Sequence, residues 1–203
     1  MDVVYRDLGP REFRAAIGTL VAVYAAAMNP PDRLLGGREA IMDRHAASPG
    51  FRGLTAYADG GLAGFTYGFH GEAGQWWHDM VAGALAESPA RQGADWLNDS
   101  FEIAELHVLP DYQGIGIGRS LLLTLAAGRP ERTAVLSTAD APTRARRLYR
   151  GVGFTDLLTG FRFSGTEPPY AVMGARLPLG SSRDSAGAGP DPVSPRSPSP
   201  SSW

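Results

Sequence analysis

The sequence predicts one mixed α/β (α+β) domain, and three observations support that prediction. Segments with strand-like alternation are separated by segments whose apolar residues recur at helical spacing. Hydrophobic residues make up 43% of the 203-residue chain, which is enough for a sizeable core in one domain. The order runs from strands and a hairpin through a β-α-β-α stretch to a closing pair of strands. That order predicts a mixed sheet with helices packed on it.

The first half of the chain is predicted to form a strand, two helices, a hairpin and a further helix. Asp59-Gly60-Gly61 has the composition of a hairpin turn, with an apolar run on each side. The predicted elements are a strand over Val3–Leu8, a long helix around Phe13–Tyr24, a helix over Arg38–Ala47, strands over Phe51–Ala58 and Leu62–Phe69, and a helix around Trp77–Leu85.

The second half alternates strands with shorter helices. Pro110 ends an alternating strand, and Gly128 with Pro130 closes the helix that follows it. The predicted elements are strands over Phe101–Leu109 and Thr133–Thr138, helices over Ile117–Leu125 and Thr143–Arg150, and closing strands over Phe154–Phe163 and Tyr170–Leu177.

Two residue types are missing from the chain, and their absence excludes several kinds of chemistry. Without cysteine there is no disulfide, no thiolate nucleophile and no thiolate-bound zinc or iron–sulfur site. All 19 basic residues are arginine, so a GxxxxGK(S/T) phosphate loop and a Schiff-base lysine are also excluded.

Charge and hydropathy indicate neither nucleic acid nor a membrane as partner. The formal net charge is −2. The longest apolar stretch, Ala15 to Met28, has 14 residues, the length of a core helix rather than a bilayer crossing. The charges before it balance, unlike those of a secretory leader. We therefore expect a cytoplasmic protein.

Composition divides the chain near residue 178. From Gly180 to Trp203, 16 of the 24 residues are Ser, Pro or Gly. Such a segment cannot bury enough apolar area to offset its ordering entropy. The sequence predicts a folded domain over residues 1–178 and a disordered tail over 179–203.

A glycine-rich turn joins the Phe101–Leu109 strand to the next helix. Gly114, Gly116 and Gly118 alternate in it. Glycine lets backbone N–H groups turn outward toward an anion, and the helix N-terminus adds partial positive charge. The pattern favours a diphosphate ligand over a tight connection without a ligand. The dinucleotide fingerprint GxGxxG is not met, because its third glycine position is Leu121.

Two sequence blocks and their separation point to a known family. Gln113-x-x-Gly116-x-Gly118 follows Val108-Leu109-Pro110 and has the form (R/Q)xxGx(G/A). Ala145-Arg-Arg-Leu-Tyr149-Arg-Gly-Val-Gly153-Phe154 has the form AxxLYxxxGF. Together with the order of elements over residues 3–178, these blocks resemble the GNAT N-acetyltransferase superfamily.

The resemblance implies a mostly antiparallel sheet flanked by helices and splayed between its fourth and fifth strands. It also implies acetyl-CoA as co-substrate and no metal. Backbone groups of the fourth strand would pair with pantetheine, and amides of the glycine turn would hold the diphosphate. The implied cofactor-binding residues are Leu106, His107, Val108, Gln113, Gly114, Ile115, Gly116, Ile117, Gly118 and Arg119.

Tyr149 matches the family tyrosine near the thioester sulfur. A phenol there can supply the departing thiolate with a proton or a hydrogen bond, whereas outside this block it would be a half-buried core aromatic. The sequence departs from the family at Pro142, where many members carry an asparagine that contacts the cofactor. Asp140 and Thr143 are the candidate replacements.

Glu102 and Glu105 are the candidate catalytic bases, because an ammonium must lose a proton before it can attack. They are three apart in a strand and point to opposite faces, so one of them faces the cleft unless a bulge intervenes. Glu102 is preferred because it stands 11 residues before Gln113, where several family members place a catalytic glutamate. The alternative for either is a solvated strand-end carboxylate.

Other polar clusters have plainer interpretations. The arginine helix should present mostly a solvated face, although the resemblance lets one or two of its cations reach the 3′-phosphate of CoA. No carboxylate spacing around His45, His70 or His78 suggests a metal site. The helix arginines are Arg144, Arg146, Arg147 and Arg150.

The segment before the fourth strand is acidic and aromatic, which favours a cationic amine as acceptor. An ordinary solvated acidic surface with core tryptophans is an equally open interpretation. Its acids are Glu72, Asp79, Glu87, Asp95, Asp99, Glu102 and Glu105, against the single cation Arg91, and its tryptophans are Trp76, Trp77 and Trp96.

The predicted function is direct acetyl transfer from acetyl-CoA to a small-molecule amine in a ternary complex. A non-catalytic acyl-CoA-binding module of the same fold is the alternative. A serine hydrolase is disfavoured, because Ser120 lies in no GxSxG elbow. A homodimer through exposed strand edges is left open.

Overall fold

Seven strands and five helices form within residues 2–31, 35–88, 94–164 and 168–180, the residues that the computed structural model describes. The strands are β1 (Val3–Leu8), β2 (Arg52–Ala58), β3 (Gly61–Gly71), β4 (Ser100–Val108), β5 (Thr133–Ala139), β6 (Thr155–Phe161) and β7 (Tyr170–Arg176). The helices are α1 (Pro10–Met28), α2 (Arg38–His45), α3 (Trp76–Glu87), α4 (Ile117–Ala126) and α5 (Arg144–Arg150).

The strands form one sheet in the order β1-β2-β3-β4-β5-β7-β6. Neighbouring strands are antiparallel except for β4 and β5, which are parallel. The structure thus confirms the predicted mixed, mostly antiparallel sheet. β1 and β6 are the edges of the sheet. A homodimer through one of these edges stays a prediction.

Helices cover both faces of the sheet. On one face, α1 and α2 pack against β3, and α3 packs further along against β5 and β7. On the other face, α4 and the end of α5 pack over a core drawn from most of the strands. Between α2 and the start of α3 on the first face, a cleft reaches Glu102, Ala104 and Glu105 of β4. No helix among the described residues is long and apolar enough to cross a membrane.

The ends of α1 follow from local chemistry. Pro10 suits the first helical turn, and the Gly9 amide donates to Glu12 Oε2 at 2.9 Å. At the other end, Asn29 adopts a left-handed conformation and its amide donates to Ala25 O at 2.9 Å. The helix therefore ends at its C-cap residue, Asn29. Its last turns lie beside β4, where Tyr24 packs against His107.

β4 and β5 separate soon after they pair. Their parallel pairing covers Ser100, Phe101 and Glu102, opposite Thr133–Val135. Beyond that point β5 pairs with β7, while β4 continues to Val108 with β3 as its partner strand. The predicted splay is confirmed, and it leaves the β5-facing backbone edge of residues 103–108 without a strand partner.

A β-bulge at Ala104 interrupts the alternation of β4. Tyr67 pairs with Glu105 but Gly68 pairs with Ile103, so one extra residue stands on β4. The bulge shifts the side-chain alternation by one residue. Glu102 and Glu105 therefore lie on the same face, which resolves the alternative left open by their spacing.

Replacing Gly68 by alanine should destabilise the fold at this bulge. A Cβ at this position would collide with the Glu102 carbonyl oxygen and lie 2.6 Å from the Phe101 ring. We expect the free energy of unfolding to fall by about 2 kcal/mol, as for other overpacked core positions. Urea unfolding of Gly68→Ala and of Gly61→Ala, whose Cβ would meet nothing closer than 3.8 Å, measures the difference. Equal effects in the two variants would contradict the tight packing at the bulge.

The described chain ends at Gly180, two residues beyond the predicted domain boundary. Leu179 packs against the core under α4, and the Gly180 amide donates to Val152 O at 3.2 Å. The remainder of the predicted tail, residues 181–203, lies outside the described residues.

Candidate active site

Two clefts open along β4. The first, the α2–α3 cleft, has a volume of about 640 Å³ and lies between α2 and the start of α3. The second, the glycine-turn cleft, has a volume of about 500 Å³ and lies between the glycine turn and α5, with the end of α1 on its rim. β4 contributes Glu102, Ala104 and Glu105 to the first cleft and Leu106, His107 and Val108 to the second. One strand thus runs from one cleft into the other.

Left-handed backbone shapes the glycine turn. Gly114 and Gly116 have φ of 83° and 97°, and Gly116 is the N-cap of α4. Only glycine adopts these angles without strain. The free N–H groups of the first α4 turn therefore face the glycine-turn cleft, as the sequence predicts for an anion site.

Most residues predicted to bind the cofactor line this cleft. Two do not: Ile115 is exposed, and Ile117 is buried in the core. Their backbones belong to the turn, but their side chains do not reach the cleft. The residues that do line it are Leu106, His107, Val108, Gln113, Gly114, Gly116, Gly118 and Arg119.

The side chain of Gln113 is used within the protein. Its Nε2 donates to Val108 O at 2.9 Å. This bond ties the glycine turn to the end of β4. Gln113 therefore positions the turn against the strand and is not free to bind a ligand through that donor.

The α5 arginines divide into two pairs with different roles. Arg146 is buried between Asp140 and Asp156, and Arg150 also pairs with Asp156 at 2.7 Å. Arg144 and Arg147 line the glycine-turn cleft. Three of the four arginines are exposed, as expected for a mostly solvated face, whereas Arg146 is buried and anchors α5 to the sheet.

The two candidate replacements for asparagine at Pro142 are both engaged elsewhere. Asp140 accepts hydrogen bonds from Arg146 and, at 2.7 Å, from the Gly160 amide. Thr143 is the N-cap of α5, and its Oγ1 accepts from the Arg146 amide at 3.1 Å. Both side chains thus fix the start of α5, and neither faces the cleft with a free group.

Glu102 is a buried carboxyl group that faces the α2–α3 cleft. It is 5% exposed, and its Oε2 has no hydrogen-bond partner among the described residues. Burial without a compensating cation disfavours the charged form and raises the pKa of Glu102 to about 8. Such a group can accept a proton near neutral pH.

Glu105 faces the same cleft but is held on both oxygens. Its Oε1 accepts from Arg38 at 2.6 Å, and its Oε2 is hydrogen-bonded to His107 Nε2. Arg38 also donates to Tyr24 Oη at 2.7 Å. This network engages both oxygens of Glu105, so of the two candidate bases Glu102 has the freer carboxyl group.

Tyr149 is almost fully buried at the wall of the glycine-turn cleft. It packs against Phe154 with ring centroids 5.8 Å apart. Burial, and secondarily the charge of Glu105, raises the pKa of the Tyr149 phenol. The hydroxyl therefore stays protonated and able to donate at physiological pH.

The acidic, aromatic segment contributes only in part to the α2–α3 cleft. Trp76 and Trp77 line it, whereas Trp96 lies elsewhere under Arg176 at 4.5 Å. Of the seven acids, Glu102 and Glu105 line the cleft and the other five do not. The expected acidic rim is therefore wrong in its geometry. Arg91, its single cation, lies outside the described residues.

Sequence reasoning missed the contribution of α2. Arg38, Arg44 and His45 line the α2–α3 cleft, and no pattern near β4 could have indicated them. Burial lowers the pKa of His45 to about 4, so the ring is neutral at pH 7. Its Nδ1 lies 3.1 Å from Tyr67 Oη. No group of three potential metal ligands occurs in the described part of the chain.

Comparison with known proteins decides the family. A family model described as an acetyltransferase (GNAT) domain matches residues 49–156. A GCN5-like protein acetyltransferase of Mycobacterium tuberculosis is 32% identical over 206 residues, which covers 88% of this chain and 100% of that protein. The chain belongs to the GNAT acetyltransferase family.

Solved structures share the fold of this GNAT protein at low identity. The YncA structure from Salmonella typhimurium, determined with its cofactor acetyl-CoA, is 18% identical with a TM-score of 0.59 and covers 92% of this chain and 100% of that one. The PaiA N-acetyltransferase of Thermoplasma acidophilum, in complex with coenzyme A, is 14% identical with a TM-score of 0.55 and covers 87% and 99%. At these identities the likeness shows the fold.

The family model covers part of the site just described. Residues 49–156 include β4 with its bulge, the glycine turn and α5 with Tyr149. They exclude α2, which supplies Arg38, Arg44 and His45 to the α2–α3 cleft. The family model therefore covers most of the glycine-turn cleft, whereas the α2 wall lies outside residues 49–156.

Proposed function

We propose that this acetyltransferase moves an acetyl group from acetyl-CoA directly to a primary amine that arrives as a cation, with both substrates bound together. The observation that supports this most directly is the course of β4. The strand carries Glu102, whose Oε2 has no hydrogen-bond partner among the described residues, into one cleft, and the backbone edge that β5 leaves unpaired into the other. Two substrates can thus meet at one strand without a covalent enzyme intermediate.

The glycine-turn cleft offers backbone groups and cations that match the polar groups of acetyl-CoA. Leu106, His107 and Val108 line the cleft along the part of β4 that β5 leaves unpaired, where the backbone groups that face away from β3 can pair with a pantetheine amide. The amides from Gly114 to Arg119 suit a diphosphate. Arg144 and Arg147 offer cations for the 3′-phosphate.

Acetyl-CoA supplies an activated acetyl group as a thioester, and the residues of this chain supply the proton transfers. Glu102 takes a proton from the ammonium, directly or through water, so that the nitrogen lone pair can attack. The N–C bond forms and the C–S bond breaks. An amide of the β4 edge stabilises the oxygen that gains charge, and Tyr149 donates to the departing sulfur.

The α2–α3 cleft suits an ammonium in two respects. The carboxyl group of Glu102 is buried beside it, and the indole rings of Trp76 and Trp77 form part of its wall. An ammonium lowers the pKa of a neighbouring carboxyl group and is attracted to aromatic faces. The acceptor itself therefore promotes the ionised form of its base.

A lysine side chain in a protein is the second candidate acceptor. It is favoured by the Mycobacterium tuberculosis relative, whose name describes a protein acetyltransferase and which aligns along its full length. Thiol release from acetyl-CoA across small amines and lysine peptides separates the two acceptor classes. Absence of thiol release with every amine, despite acetyl-CoA binding, would favour the non-catalytic acyl-CoA-binding alternative.

Replacing Gly116 by valine tests the cofactor assignment. Its φ of 97° strains a β-branched residue and should displace the amides that hold the diphosphate. We expect acetyl-CoA affinity to fall about tenfold, about 1.4 kcal/mol, by calorimetry. Gly128→Val is the matched control, because Gly128 follows the other end of α4 with φ of 70° and lies outside the cleft. Equal affinities in the two folded variants would exclude the diphosphate site.

A further inference from the structure

The wall that α2 contributes to the α2–α3 cleft carries two cations. Arg38, Ile41, Arg44 and His45 all line it, at the i, i+3, i+6 and i+7 positions of one helical stripe. The two arginines are six residues apart, or about 9 Å along the helix axis. Ile41 lies between them. This wall therefore carries two positive charges with one apolar side chain between them.

The two arginines differ in how their charge is balanced. Arg38 is partly buried and forms an ion pair with Glu105 at 2.6 Å. Arg44 is exposed, and none of the described carboxylates lies within ion-pair distance of it. His45 beside it is neutral at pH 7. The uncompensated charge of the cleft wall is thus the guanidinium of Arg44.

Guanidinium groups bind carboxylates through paired N–H donors, and such charge-assisted bonds are stronger than neutral ones. Glu102 receives the ammonium on β4, across the cleft from α2. A ligand that satisfies both groups has an ammonium at one end, a short apolar linker and an anion at the other. A plain polyamine would place a second cation near Arg44 and be repelled by it.

We propose that the acceptor is zwitterionic: a primary amine that also carries a carboxylate, which Arg44 binds. This inference rests on the proposed function and names the substrate class of the same cleft. It revises the sequence-based expectation of a cationic amine, because five of the seven acids behind that expectation do not line the cleft.

The test compares acceptors that differ only in this charge. The pairs are 4-aminobutanoate with 4-aminobutanamide and 6-aminohexanoate with 6-aminohexanamide, whose methylene spacers keep the amine basicity similar. Thiol release from acetyl-CoA is measured with the wild type, Arg44→Gln and Arg11→Gln. Arg11 is exposed on α1 and lines neither cleft, so its variant controls for loss of one positive charge.

We expect the wild type and Arg11→Gln to prefer the carboxylate of at least one pair by about tenfold in kcat/KM. Arg44→Gln should reduce that preference to about twofold or less, and added salt should weaken it in the wild type. Equal use of acid and amide by the wild type would overturn the proposal, as would a preference that survives in Arg44→Gln.

Binding separates failure of this inference from failure of the proposed function. Ligand-observed NMR of the same four probes with the CoA-saturated protein needs no turnover. If no amine releases thiol but the carboxylates bind in an Arg44-dependent way, the transferase proposal fails and the anion site stands. Equal binding of acids and amides, or binding of neither, overturns the anion site.

Discussion

Glu102→Gln is expected to lower kcat/KM for acetyl transfer by about a hundredfold, the lower range for loss of a general base. The amide keeps the shape of the side chain but cannot accept the ammonium proton. Acetyl-CoA affinity should change little, because Glu102 lines the α2–α3 cleft and not the glycine-turn cleft. Steady-state kinetics with varied amine at saturating acetyl-CoA, together with calorimetry for acetyl-CoA, provides the measurement.

The pH dependence of kcat/KM tests whether Glu102 is the general base whose removal lowers activity. In the free enzyme kcat/KM should rise through about pH 8 as Glu102 ionises, with Arg38, Arg44, neutral His45 and Glu105 as its charged or titratable neighbours. Glu105→Gln should keep that inflection, because its carboxylate is held by Arg38 and His107. An inflection retained in Glu102→Gln and lost in Glu105→Gln would reverse the two assignments.

Stability provides the control against misfolding of Glu102→Gln. The pKa of Glu102 is higher in the folded chain, about 8, than its ordinary value of 4.5. The contribution of Glu102 to wild-type stability therefore falls as pH rises from 4.5 through 8, where this group ionises freely only in the unfolded chain. Glutamine does not titrate, so the variant should gain about 1.4 kcal/mol on the wild type for each pH unit in that window. A difference independent of pH would indicate an ordinary pKa for Glu102.

Tyr149→Phe is expected to lower kcat tenfold or more and to leave the KM for acetyl-CoA nearly unchanged. A phenol that donates to the departing sulfur acts in the transition state and adds little to ground-state binding. Since the raised pKa of Tyr149 keeps it protonated, the substitution should add no new inflection to the pH profile. Initial rates at saturating amine measure the effect.

Tyr112→Phe is the matched control for that substitution. Tyr112 lines the same glycine-turn cleft, but it precedes the turn and is not part of α5. Removing its hydroxyl should change kcat by less than about twofold. If Tyr149→Phe keeps the wild-type kcat, Tyr149 is a packing residue; if both variants lose activity equally, the cleft is perturbed in general.

Much of the fold was predictable because its signals are local. Apolar periodicity predicted all seven strands and five helices, with differences of a few residues at their ends, such as β3 continuing to Gly71. The Gln113–Gly118 and Ala145–Phe154 blocks predicted the family and the glycine-turn cleft. Some backbone angles are adopted easily only by glycine, as at Gly116, so a glycine in the sequence indicates them directly.

The face on which each carboxylate lies was decided by tertiary structure. Strand alternation alone separates Glu102 from Glu105, and the pairing of β4 with β3 reverses that result through the bulge at Ala104. A bulge depends on which residues of two strands are paired. In this pairing Gly68 lies against Phe101 and Glu102, which are more than 30 positions away in sequence.

The charges around the acceptor cleft were likewise decided by packing. Sequence proximity grouped seven acids in and before β4, yet five of them do not line the cleft. Two arginines from α2, some 60 residues earlier, line it instead. A sequence determines which charges exist and on which element they stand. Which of them share a desolvated cleft depends on how helices dock on the sheet, because electrostatic interaction follows distance in space and burial rather than separation along the chain.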